Sequence, residues 1–171
     1  TTLGKIVGGG MPVGVFGGKA RYMDKLSPIG SIYHAGTLSG NPVAMTAGIK
    51  TIELLSKNKF HTNLENKTKK LMDGISNAAK EYDIDLVTTY SGGMFGFFFT
   101  KMKEIKNFTD VQSCNGKIFE KFFKIMLAKG IYFAPSMYEA GFISSKHSSE
   151  DINYTIDSAR DAFLQISKLK L

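Results

Sequence analysis

Thr2-Leu3-Gly4-Lys5-Ile6-Val7-Gly8-Gly9-Gly10-Met11-Pro12-Val13-Gly14-Val15-Phe16-Gly17-Gly18 sets one lysine before a dense run of glycine and short apolar residues. Glycine at this density lets the backbone take φ > 0 and approach a ligand closely. A lysine packed among apolar neighbours loses solvation as a cation, which lowers its pKa and frees the amine as a nucleophile. That combination suits a lysine that condenses with an aldehyde. The plainer alternative is a tight turn carrying a surface lysine.

Outward from this run, Ile6-Val7 and Val13 to Phe16 read as short strands or extended segments around the glycine turn. Lys19 to Leu26 can form a short helix that must end before Pro28. Ser31 to Ser39 reads as loop. Ser39 or Asn41 can then cap a helix with Pro42 in its first turn, running to about Leu55. Residues 1–48 hold 11 of the 18 glycines and three of the four prolines, so the chain changes character after them. The polar break Ser56-Lys57-Asn58-Lys59 places a boundary there, between regions 1–57 and 58–171.

The second region reads as helix, strand, strand, helix, strand, helix. Phe60, Leu64, Leu71, Ile75, Ala78 and Tyr82 keep helical spacing on one face, with Asn63, Lys69, Lys70 and Asp73 opposite. Asp85 to Tyr90 and Met94 to Phe99 read as strands around Ser91-Gly92-Gly93, the second rich in phenylalanine. Lys101 to Asp110 reads as a charged loop. Ser113 or Asn115 opens a helix with Phe119, Phe122, Phe123, Met126 and Leu127 toward the core, ended by Gly130. Ile131 to Ala134 reads as a strand before Pro135. Ser148-Ser149-Glu150-Asp151 opens the last helix, with Ile152, Ile156, Ala159, Phe163 and Ile166 as its buried stripe and Lys168 and Lys170 at its end.

Composition bounds the function. Hydrophobic content of 43% is that of a globular protein rather than a disordered one. The longest apolar run, Met94 to Phe99, is far too short to span a bilayer. One cysteine, Cys114, cannot form an intrachain disulfide, which points to a reducing, cytoplasmic setting and a structural thiol. The net charge of +7 comes from lysines spread over several helices, without an arginine cluster, so solvated faces are expected rather than a nucleic-acid surface. His34, His61 and His147 lack metal-ligand spacing, and no metal site is expected.

Three segments together resemble the class III pyridoxal-phosphate aminotransferases. Leu3 to Gly14 is similar to their cofactor-lysine segment. Ala35-Gly36-Thr37-Leu38-Ser39-Gly40-Asn41-Pro42 resembles their second phosphate-contact loop. Ala134-Pro135-Ser136-Met137-Tyr138-Glu139-Ala140-Gly141-Phe142 resembles their carboxy-terminal, substrate-side segment. The resemblance implies an α/β, fold-type-I architecture: the end of the large cofactor domain over 1–57 and the small carboxy-terminal α/β domain over 58–171. It implies pyridoxal 5′-phosphate as cofactor and Lys5 as the catalytic, cofactor-holding lysine, which also carries protons between substrate carbons.

By the same resemblance Gly36 and Thr37 contact the phosphate, with the loop reaching across a homodimer to the partner's cofactor. The helix start behind them is expected to offer free N–H groups to the anion. Glu139 is implied at the substrate entrance. The family's carboxylate for the pyridine nitrogen, its first phosphate loop and its substrate arginine lie upstream of the lysine, so an incomplete, inactive fragment is expected. The activity implied is amino transfer within one small molecule. Transfer between a donor and a keto acceptor stands as the alternative, disfavoured because neither Arg21 nor Arg160 falls in the Pro135 to Phe142 segment. A non-catalytic binding or assembly module is the third possibility.

Overall fold

Asn41-Pro42 starts the first long helix by a mechanism visible in the sequence. Proline at the first helical position has no N–H to leave unsatisfied, and the asparagine side chain caps the next ones. In the computed structural model, which describes residues 1–168, Asn41 Oδ1 accepts from the Val43 and Ala44 N–H groups at 3.0 and 3.2 Å. Asn41 rather than Ser39 is thus the cap of α2 (Pro42–Leu55). Before it lie β1 (Thr2–Leu3), a 3-10 turn (Lys5–Gly8), β2 (Val15–Phe16) and α1 (Ala20–Met23). β1 and β2 pair antiparallel, Thr2 opposite Phe16 and Leu3 opposite Val15, closing residues 4–14 into a loop.

Ile6-Val7 is not a strand, contrary to the expectation from its apolar character. It forms the middle of the 3-10 turn, because Lys5 at φ +54° and Gly9 at φ +59° turn the backbone at both ends. The extended segment after the turn is likewise shorter than expected, Val15–Phe16 only.

The chain divides into two compact units, Thr1–Phe60 and His61–Leu171. The second unit is a three-stranded antiparallel sheet of order β3-β4-β5 with helices against one face. It comprises α3 (Phe60–Lys80, which begins at the boundary), β3 (Leu86–Ser91), β4 (Met94–Phe99), α4 (Phe108–Gln112), α5 (Gly116–Ala128), β5 (Gly141–Phe142) and α6 (Ser149–Ser167). Gly92, at φ +55°, makes the two-residue hairpin turn between Ser91 and Met94.

Alternation along β4 puts Phe95, Phe97 and Phe99 into the core and leaves Met94 on the other face. Leu71, Met72 and Ile75 of α3, Phe119, Phe122 and Met126 of α5, and Ile152, Phe163 and Ile166 of α6 close over them. Phe122 is the hub. Its ring stacks on Phe163 at 5.1 Å and meets Phe97 edge-on at 5.3 Å. A fully buried phenylalanine of this kind stabilises by about 1.5–3 kcal/mol. Leu127, expected in this core, is exposed, one position round the helix from Met126. Tyr82 packs partly against the core from beyond the end of α3.

Two further expectations fail on local hydrogen bonding. Ile131 to Ala134 is not a strand. The Ile131 N–H closes α5 by donating to the Met126 carbonyl, and Gly130, at φ +79°, donates to Leu127, a full Schellman cap. The segment is anchored by side chains instead, Phe133 lying 5.3 Å from Phe97 ring to ring. The third strand is Gly141–Phe142, pairing with Met94 and Phe95. Within the charged loop, Asn107 and Asp110 form a reciprocal capping box that starts α4. The last helix behaves as read: Ser148 and Asp151 make its capping box, and Ile152, Ala159, Phe163 and Ile166 are buried. Lys168 is its C-cap, and Lys170 lies outside the described residues.

Candidate active site

Lys5 opens the 3-10 turn from an extended Gly4 and holds φ +54°, a left-handed conformation that costs a non-glycine residue about 1–3 kcal/mol and that Lys59 and Asp83 share. Three backbone bonds keep it there: Val7 N–H to the Gly4 carbonyl (3.4 Å), Gly9 to Ile6 (3.0 Å) and Met11 to Gly8 (3.0 Å). The expectation of a lysine packed among apolar neighbours is not met. Lys5 is exposed, as are Leu3 at 52% and Ile6 at 61%, because within this unit only Gly8 of the turn is buried.

The turn rests on α2. A Cβ on Gly48 would meet the Val7 carbonyl oxygen at 2.5 Å, and one on Gly9 would meet the Ala47 carbonyl oxygen at 2.6 Å and the Thr51 hydroxyl. Neither contact was read from the sequence. The signal for it was present, since a glycine inside a helical pattern lowers helix stability and usually has a packing reason.

Gly36 and Thr37 lie in the same unit, in a loop of two consecutive turns. Ser39 N–H donates to the Gly36 carbonyl (2.9 Å) and Asn41 N–H to that of Leu38 (3.1 Å), with Gly40 at φ +71° between them. The expected source of anion-binding N–H groups is corrected here. Pro42 has none, Asn41 Oδ1 takes those of Val43 and Ala44, and Met45 donates to the Asn41 carbonyl. The start of α2 is saturated by its own cap. The Thr37 N–H and hydroxyl make no hydrogen bond among the described residues, so the turn, not the helix end, is the donor surface.

Gly36 is brought against the lysine segment. A cavity of about 320 Å³ is lined by Pro12, Val13 and Gly14 on one side and by Gly36, Leu38 and Ser39 on the other; Lys5 and Thr37 do not line it. Residues 1–60 carry six lysines and one arginine against Asp24 and Glu53, a net charge of +5 that suits an anionic ligand. An exposed amine on a strained turn, a glycine turn with free donors and a basic surround fit a phosphate-bearing aldehyde.

Glu139 belongs to the second unit. Its N–H donates to the Ser136 carbonyl at 3.1 Å, and Ser136 Oγ accepts from Tyr138 N–H at 3.2 Å, which shapes the loop. Glu139 is exposed at the edge of an apolar groove of about 240 Å³ that includes Met94, Phe98, Phe108 and Tyr138, and it has no ion-pair partner among the described residues. Phe108 and Tyr138 pack ring to ring at 5.5 Å above it.

The remaining candidates are structural. Burial pushes the Cys114 thiol above its ordinary range, and its Sγ bonds the Asp110 carbonyl at 3.3 Å, the opposite of an activated thiolate. His34 packs edge-on against Phe16 at 5.2 Å. His147 Nδ1 faces the Ser144 N–H at 3.0 Å in the turn before α6. Arg160 is held by Glu81 at 2.9 Å and Asp157 at 2.6 Å. Arg21 bonds the Tyr22 hydroxyl and lies over its ring.

Comparison with known proteins matches residues 1–143 to the family described as aminotransferase class-III. A glutamate-1-semialdehyde 2,1-aminomutase of Francisella philomiragia is 55% identical over 157 residues, covering 91% of this chain and 36% of that protein. Among solved structures, an omega-transaminase from Sphaerobacter thermophilus superposes with a TM-score of 0.79 at 23% identity, over 95% of this chain and 37% of that one. A glutamate-1-semialdehyde aminomutase from Pseudomonas aeruginosa, in complex with PMP, gives a TM-score of 0.66 at 18% identity, over 79% of this chain and 30% of that one. These structural likenesses speak for the fold. The chain spans little more than a third of the length of the curated relatives it matches.

Proposed function

Since the chain belongs to the class-III aminotransferase family, its match covering residues 1–143, we propose that it is part of a pyridoxal-phosphate enzyme moving an amino group within glutamate-1-semialdehyde to give 5-aminolevulinate, a precursor of tetrapyrroles. The observation that carries this reading is the 55% identity, over 91% of the chain, to a protein of that name. The cofactor, when bound, supplies an electron sink for negative charge on the substrate carbon.

In this reading Lys5 Nζ would hold the cofactor's aldehyde and would carry a proton between neighbouring substrate carbons. Thr37 donates its hydroxyl and N–H to the phosphate, and Gly36 leaves room for it. A homodimer would bring this loop to the partner's cofactor. Glu139 stands on the substrate side, where a carboxylate attracts the ammonium groups of a diamino species. Region 1–57 is the end of a large cofactor domain and region 58–171 the small domain, in a cytoplasmic enzyme.

The arginines favour transfer within one molecule over transfer between two. Many family aminotransferases place an arginine fork for a substrate carboxylate in the carboxy-terminal domain, whereas neither Arg21 nor Arg160 falls in the Pro135 to Phe142 segment and both are engaged elsewhere, Arg160 by two carboxylates and Arg21 by Tyr22. The test is to join the chain to the remaining length of such a protein and supply glutamate-1-semialdehyde alone. Formation of 5-aminolevulinate without a keto acceptor is expected. Turnover that depends on a second keto substrate would remove the assignment. The 171-residue chain by itself is expected to show no turnover, because it spans 36% of the relative's length.

A further inference from the structure

The Lys5 turn and helix α2 meet where neither has a side chain. Gly48 is buried in the helix, and the Val7 carbonyl occupies the space its Cβ would fill, at 2.5 Å. From the other side, Gly9 presents its Cα to the Ala47 carbonyl and to Thr51, whose hydroxyl bonds the Ala47 carbonyl at 2.9 Å. Gly8 is buried beside them, its own Cβ position 3.0 Å from Val13. Two residues of the turn are thus fixed against one turn of helix, within four residues of a lysine in a left-handed conformation. A strained backbone persists only where its surroundings over-determine it.

We propose that Gly48 and Thr51 of α2, with Gly9 opposite them, are positioning residues for the Lys5 amine: the helix acts as an anvil that holds the 3-10 turn, and so the lysine, at one place and one backbone angle. The proposal rests on the reading of Lys5 as the cofactor lysine and adds what holds it there. The reactive atom must be placed to within about an ångström for condensation to be selective. An exposed lysine on a loop whose side chains are mostly exposed is restrained in this unit by the backbone bonds of the turn, by the β1–β2 pairing that closes the loop, and by this helix contact.

A Gly48→Ala substitution separates this role from a simple effect on stability, because alanine is the better helix former and by itself strengthens α2. The experiment treats the 171-residue chain with pyridoxal phosphate and borohydride, maps the label by peptide mass, and follows amide exchange at Gly9 and Met11. Gly48→Ala is expected to lower the share of label at Lys5, relative to Lys19 and Lys25, by about tenfold, and to speed exchange at the two amides by about tenfold.

Thr51→Ala, which loosens the contact without overfilling it, should shift both readouts in the same direction by less. Ile49→Gly weakens the helix from its exposed face and should change neither. Unchanged exchange and labelling in both Gly48→Ala and Thr51→Ala would overturn the proposal, as would an equal response to Ile49→Gly. Failure to label Lys5, both in the unsubstituted chain and in that chain joined to the remaining length of such a protein, would instead remove the cofactor-lysine reading, and the positioning role with it.

Discussion

Lys5 shows what a residue can and cannot announce. Its place before Gly8-Gly9-Gly10 made it legible as an amine presented by a close-approach turn, but its φ of +54° is a consequence of the β1–β2 closure and the α2 contact, which no local pattern encodes. The strain has a measurable consequence. Asparagine tolerates the left-handed region, so Lys5→Asn should unfold at higher denaturant, by about 1 kcal/mol, while losing the label carried by the peptide that contains residue 5. Lower stability of Lys5→Asn would show that the angle is not strained. Asn41 is the second telling residue. Its cap is legible from Asn-Pro before an apolar helix, yet that cap saturates the N–H groups that an anion would need. Asn41→Ala should cost about 1 kcal/mol of stability in unit one, read by chemical denaturation.

At the scale of elements, the sequence patterns that carried long-range information were the periodic ones. The buried face of α3 and the stripe of α6 appear where spacing placed them, and the phenylalanine-rich β4 is the strand its composition suggested. Short apolar runs were misleading. Ile6-Val7 and Ile131 to Ala134 both look like strands, but in each a neighbouring glycine at positive φ, Gly9 or Gly130, commits the backbone to a turn or helix cap. The α4 helix is hidden in a charged loop because its start depends on one Asn107–Asp110 exchange.

The capping box of α6 makes a pH prediction. Bonds from the Ser148 backbone and hydroxyl hold the Asp151 carboxyl below its ordinary range. The unfolded chain therefore takes up a proton more readily than the folded one. The cap's contribution is present above the ordinary carboxylate pKa of about 4 and is lost as pH falls through the depressed folded value. Asp151→Asn should flatten this part of the acid limb of a stability-versus-pH curve; an unchanged limb would contradict the assignment.

The whole molecule divides its work between two units. The second has a closed aromatic core, and Phe122→Ala should destabilise it by about 3–5 kcal/mol, seen as an earlier thermal transition. The first buries little: Ile29 at 78%, Leu38 at 68%, Val43 at 63% and Ile49 at 59% remain exposed. Exposed apolar side chains in this number favour association. Sedimentation of the chain is expected to show concentration-dependent self-association, and a monomer at all concentrations would contradict it. Family and fold were legible because three motifs, at the Lys5 turn, the Gly36 loop and the Glu139 loop, together resemble one family. The relation of Lys5 to Glu139 was not, since the two belong to different units.

The most direct test of the central claim, that Lys5 is the cofactor lysine, is to reduce the chain with borohydride after adding pyridoxal phosphate and to map every labelled peptide. The account predicts label concentrated at Lys5. Label spread evenly over Lys19, Lys25, Lys57 and the lysines of the second unit, or no label at all, both in this chain and in the chain joined to the remaining length of such a protein, would contradict it.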